Sequence, residues 1–116
     1  MAAIEVVWDA TRKRLFITFK DELGNLLGDI TGWTARLQGK SKDLNGFPID
    51  VAGTIHGPAV DSTFKWDPLV GAGFPSGTEL AGMPNALFTL RARLVDAGGK
   101  VDYGPWFEID YLAKPV

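Results

Sequence analysis

The chain predicts an all-β sandwich of about seven antiparallel strands, and three observations carry that expectation. Apolar residues recur with period two along most of the chain, which is the alternation of a half-buried strand. Turn signals fall at intervals of roughly 8–12 residues, the spacing of sandwich or barrel hairpins. Fourteen glycines and seven prolines interrupt nearly every window long enough for a helix. A length of 116 residues predicts one domain, residues 1–116.

The first strand reads from "AIEVVWD", with Ile4, Val6 and Trp8 on one face. In "RLFITFK", Leu15, Ile17 and Phe19 share a face, opposite Phe16, Thr18 and Lys20. "DELGN" follows as a turn, with Gly24 and Asn25 suited to positive φ. "GWTARLQG" sets Trp33, Ala35 and Leu37 against Thr34, Arg36 and Gln38. After the polar loop "KSKDLNGFP", "IDVAGTIHG" supplies Ile49, Val51 and Ile55, and Gly53 marks a bulge or a close approach of backbone. "VDSTFKW" supplies Val60, Phe64 and Trp66. Residues 67–85 are rich in proline and glycine and lack alternation, and loops of that length in compact domains are often functional.

The closing hairpin, "ALFTLRARLVDAGGKVDYGPWFEIDYL", is the most legible part. In its first strand Phe88, Leu90, Ala92 and Leu94 face the core, and Leu87, Thr89, Arg91 and Arg93 face out. In its second, charge places Asp102, Gly104, Trp106, Glu108 and Asp110 outside, with Tyr103, Pro105, Phe107, Ile109 and Tyr111 inside. A two-residue turn at Gly98-Gly99, where positive φ is accessible twice, pairs Ala97 with Lys100. That register sets Leu94 opposite Tyr103, Leu90 opposite Phe107, Phe88 opposite Ile109 and Arg91 opposite Trp106. Trp106 is then an outward aromatic covered by an arginine rather than by a ligand. Pro105 cannot donate to a ladder, so the last strand is an edge there or is kinked by a bulge.

Composition limits function. The formal net charge is −2, so no broad basic field draws nucleic acid or an anionic membrane to the chain. There is no cysteine, and stability must come from packing. The first residues, "MAAIEVVWDATRKR", lack a charged leader before an apolar run, so synthesis in the cytoplasm without a signal peptide is expected. His56, the single histidine, precedes Gly57-Pro58 and reads as a turn residue, although Asp61 to Thr63 supply the residue types of a triad. Asp21, Glu22, Asp29 and Asp43 lack the spacing of a calcium loop and read as solvated turn carboxylates. "TRKR", Thr11 to Arg14, reads as the basic tip of the first hairpin, able to meet an acidic neighbour. No catalytic residue, cofactor or metal ligand is expected.

The stretch "LFITFKDELGNLLGDITGWTARLQ", followed by "ALFTLRARLVDAGGKVDYGPWFEIDYL", resembles the Ig-like domain at the N-terminus of upper baseplate proteins in tailed phages. It is also similar to related small Ig-like domains of phage tail and capsid-surface proteins. In that pattern an apolar strand runs into an acidic turn with glycine, then a "DLTG"-like segment, here "GDITG" at Gly28 to Gly32. An aromatic strand, a "D-x-x-G-K" turn and a "P-x-F-x-I" strand follow, here "DAGGK" and "PWFEI". Residues 67–85 lie outside the pattern, and a free-standing virion protein is expected rather than a baseplate adaptor with further modules.

The resemblance implies an Ig-like sandwich with a non-enzymatic structural role at the capsid surface, neck or tail and baseplate of a tailed-phage virion. Its partners would be other virion proteins, copies of itself included. The second function considered is a carbohydrate-binding or adhesion module with a host glycan as ligand; it needs Trp106 or Phe74 exposed and free of an arginine. The candidate interaction surface comprises Leu69, Val70, Phe74, Leu80, Met83, Arg91 and Trp106. The first five either cap the sandwich or dock on another subunit.

Overall fold

The structure, a computed structural model, describes residues 3–42, 48–70, 73–75, 80 and 86–112. Its strands are β1 (Ala3–Asp9), β2 (Arg14–Lys20), β3 (Thr34–Ser41), β4 (Pro48–Ala52), β5 (Thr54–Ile55), β6 (Thr63–Trp66), β7 (Leu87–Val95), β8 (Val101–Tyr103) and β9 (Phe107–Asp110). One antiparallel sheet has the order β1-β2-β6-β5, and the other β4-β3-β7, with β8 and β9 both pairing β7. The nine segments reduce to seven strands, because β4 and β5 are one bent strand and β8 and β9 are one strand broken by a bulge. This is the strand order of an Ig-like sandwich with four strands in each sheet.

The core lies between the sheets and is built by alternation. Leu15, Ile17 and Phe19 of β2 meet Ala35 and Leu37 of β3 and Phe88, Leu90, Ala92 and Leu94 of β7, all essentially buried. Phe64 and Trp66 of β6 and Ile109 of β9 join them. Each large side chain buried there stabilises the fold by roughly 1.5–3 kcal/mol. Phe19 and Phe64 pack edge to face with centroids 5.9 Å apart. Val60 does not belong to this set. It sits in a 3-10 turn at Ala59–Asp61 and is exposed, so the strand begins only at Thr63.

Gly53 makes the crossing between sheets. β4 pairs with β3 and β5 pairs with β6, with only Gly53 between them. Its N–H donates to Ala35 O at 2.9 Å, while the Trp66 Nε1 donates to Val51 O at 2.8 Å. The indole therefore covers the Gly53 backbone, and the close approach expected there is with Trp66.

The closing hairpin departs from the expected register at one end. Asp96 N donates to Lys100 O and Gly99 N to Asp96 O, both at 3.0 Å, and Gly99 has φ +89°. The loop is thus three residues, Ala97 to Gly99, a turn followed by a left-handed glycine, which is a standard hairpin solution. It pairs Arg93 with Tyr103 and Leu94 with Asp102, rather than Leu94 with Tyr103. Beyond Gly104, whose N–H donates to Ala92 O, the expected register returns: Leu90 faces Phe107 and Phe88 faces Ile109. Pro105 and Trp106 together oppose Arg91 alone, which defines a β-bulge. Proline marks that bulge because it could not have donated to the ladder.

Candidate interaction surface

The outer face of the β4-β3-β7-β8/β9 sheet is an ordered grid. One row runs Pro48, Lys40, Thr89, Glu108, and the next runs Asp50, Gln38, Arg91 and the bulge. The third runs Ala52, Arg36, Arg93, Tyr103. Because the bulge adds one residue, Tyr103 moves to this outer face and joins Trp106. The expectation that Tyr103 points to the core is corrected by that extra residue.

Arg91 is held between the two rings. Its guanidinium carbon lies 4.1 Å from the Tyr103 centroid and 4.6 Å from that of Trp106. Its Nε is buried without a hydrogen-bond partner among the described residues, so the aromatic faces take over from water there. Such stacking contributes about 0.5–1 kcal/mol when exposed and about 2 when desolvated. Trp106 itself is 56% exposed, with Arg91 against its ring.

Beside Trp106 is a groove of about 500 Å³, lined among the described residues by Gly39, Lys40, Thr89 and Trp106. Gly39 is required by close backbone approach, since a Cβ there would lie 2.0 Å from Thr89 O. The face is cationic. Arg36, Lys40, Lys42, Arg91 and Arg93 stand against Asp50, Glu108 and Asp110, in a chain whose formal charge is −2. Arg36 pairs with Asp50 at 2.6 Å and Lys42 with Glu108 at 2.5 Å, both partly solvated and of modest energetic value.

The seven candidate residues separate into different places. Leu69, Phe74 and Leu80 are buried in the core, so their side chains cap the sandwich and present no docking surface. Phe74 packs on Phe88 at 5.2 Å and Tyr111 at 4.9 Å between centroids, and the Tyr111 hydroxyl donates to Leu69 O at 2.8 Å. Asp50 N donates to Gly73 O at 3.0 Å, which ties the same segment over the edge of β4. Val70 is exposed on the loop. Met83 lies outside the described residues. Arg91 and Trp106 are together on the outer face, as their opposition in the hairpin predicts. Lys40 and Gly39, which complete the groove, were not singled out by the sequence. Their neighbourhood depends on β3 pairing with β7, a contact between strands about fifty residues apart.

Other chemistry-bearing residues have structural partners. The His56 ring packs on Phe16 at 4.9 Å, and buried Ser62 donates through Oγ to Gly28 O at 2.7 Å. Lys13 of the basic hairpin tip donates to Tyr111 O and sits 4.6 Å over that ring, and Arg14 pairs with Asp67 at 3.3 Å. Half of that cluster is therefore bound within the chain. Hydrogen bonds from Thr31 hold the Asp29 carboxyl below its ordinary range, and the Lys20 hydrogen bond does the same for Glu5. Among the described residues no group of three or more His, Asp or Glu side chains converges to hold a metal ion, and no helix is long and apolar enough to cross a membrane.

The fold and this face define a β-sandwich with an ordered, cationic, aromatic outer surface. No protein-family model, curated protein or solved structure matches the chain.

Proposed function

We propose that this chain is a non-enzymatic structural component of a tailed-phage virion, at the capsid surface, neck or tail and baseplate, and that it acts through protein–protein contact. One observation carries the reading. The two segments that resemble phage Ig-like domains, residues 15–38 and 86–112, supply most of β2 and β3 and all of β7, β8 and β9, and β3 pairs with β7 along eight residues to form the sheet whose outer face carries Arg91 and Trp106. The sandwich is a rigid spacer in this reading, and the grid of Arg91, Trp106, Tyr103 and Lys40 is where a partner docks. Exposed aromatics and arginines are the residue types enriched in such contacts.

The carbohydrate-binding alternative is weakened by the same geometry. It needs an uncovered aromatic, whereas Phe74 is buried and Trp106 carries Arg91 on its ring. The test is direct. An antibody raised to the purified chain is used on tailed-phage particles banded from cells that encode it. A fixed copy number per particle supports the proposal, and recovery only in the soluble fraction overturns it.

A further inference from the structure

The geometry points to a second copy of this chain as an occupant of the Trp106 groove, inserting its Asp21–Asn25 turn with Leu23 at the tip. The inference deepens the assembly reading above and rests on it.

Leu23 is 87% exposed, more than any other large hydrophobic side chain among the described residues. It sits on a built turn. Asp21 N donates to Asn25 O at 2.8 Å and Gly24 N to Asp21 O at 3.0 Å. Asp21 Oδ1 accepts from Leu23 N at 2.9 Å and Asn25 N at 3.0 Å, and Gly24 has φ +83°. Ordering is therefore already met in the free chain, which removes a main cost of docking a loop. Asp21 and Glu22 flank the leucine, and neither forms an ion pair among the described residues.

The groove is the complement. Trp106 supplies an exposed apolar wall beside Gly39 and Thr89, and Lys40 at its rim also lacks an ion pair among the described residues. An acidic, leucine-tipped turn thus meets an aromatic groove with a cationic rim. The two features cannot meet within one chain. The turn lies between β2 and β3, at the end where β3 starts, whereas Lys40 and Thr89 lie where β3 finishes and β7 starts. A turn-to-groove contact made once is heterologous and repeats into a ring or an open array, whereas made reciprocally between two chains it closes a two-fold dimer.

The test uses the intact chain in sedimentation velocity over a concentration series, at low salt and at 1 M, where the Debye length falls to about 3 Å. Reversible association at low salt, weakened at high salt, is expected. Leu23→Ser and Lys40→Glu should each weaken it about tenfold or more, and Glu22→Lys should restore affinity to the Lys40→Glu chain. These side chains are exposed or at a groove rim, and unchanged melting confirms that the fold is kept. Leu23→Ser retains the groove and Lys40→Glu retains the turn, so an equimolar mixture should form a species that stops at two chains. A monomer at every concentration in low salt, or association indifferent to Leu23→Ser, overturns the proposal. If the chain is found in particles but does not self-associate this way, only the self-contact falls. If it self-associates but is absent from particles, the virion reading falls and the contact stands.

Discussion

Gly53 lies so close to Trp66 that a Cβ added to the glycine would stand 2.7 Å from the indole Cε2 and 2.8 Å from Cζ2. Trp66 cannot easily give way: it is 2% exposed and its Nε1 is committed to Val51 O. Gly53→Ala should therefore destabilise the domain by about 1–3 kcal/mol, the range for overpacked sites. Urea unfolding reads this as a lower midpoint at unchanged slope. An unchanged midpoint would mean that the crossing between sheets is loose.

Arg91 and Trp106 should be energetically coupled. In a double-mutant cycle with Arg91→Ala and Trp106→Ala, the interaction term is expected at about 0.5–2 kcal/mol, since Arg91 is largely covered while Trp106 is half solvated. A term near zero would show that the stacking has no energetic weight.

The segment after β6 is held by Phe74 and not by Val70. Phe74→Ala empties a buried site between Phe88 and Tyr111 and should cost about 3–5 kcal/mol. Val70→Ser, on an exposed position, should stay within about 0.5 kcal/mol. Comparable losses at both positions would contradict the capping arrangement.

Burial pushes the Tyr111 phenol above its ordinary value of 10.0. The folded state thus favours the neutral form more than the unfolded chain does. That contribution is complete below pH 10 and is lost as pH rises through the raised value. Tyr111→Phe should flatten this alkaline fall in stability. At neutral pH the variant should be about 1 kcal/mol less stable, for loss of the hydrogen bond to Leu69 O. Parallel alkaline decline in both proteins would rule out Tyr111 as its source.

The strands and most of their faces were legible because each sheet has one dry side. Leu15, Ile17 and Phe19, or Phe88, Leu90, Ala92 and Leu94, can satisfy only one parity. The hairpin shows where that logic stops. Gly98-Gly99 accommodates either a two-residue or a three-residue loop, and the shorter one gives a consistent ladder on paper. The chain uses the longer loop and recovers the register at the Pro105-Trp106 bulge, so Tyr103 changes sides while Phe107 does not. Pro105 signalled an irregularity but not its direction. In residues 67–85 the apolar side chains were visible, but whether they turn inward is decided by the space beside Phe88 and Tyr111, which alternation cannot report. The groove at Trp106 was half visible for the same reason: its tryptophan is local to the hairpin, whereas Lys40 arrives through the β3–β7 pairing.

The strand that crosses at Gly53 makes the two flanks of the sandwich unlike. On one flank the sheets share continuous backbone. On the other, β1 and the β8–β9 strand are linked by side-chain contacts such as Trp8 Nε1 to Asp110 O at 3.2 Å and Lys13 to Tyr111 O. The two flanks should therefore differ in local stability, the Gly53 side being the more firmly joined. Hydrogen exchange should accordingly reach the β1 and β9 amides before those of β4 and β6.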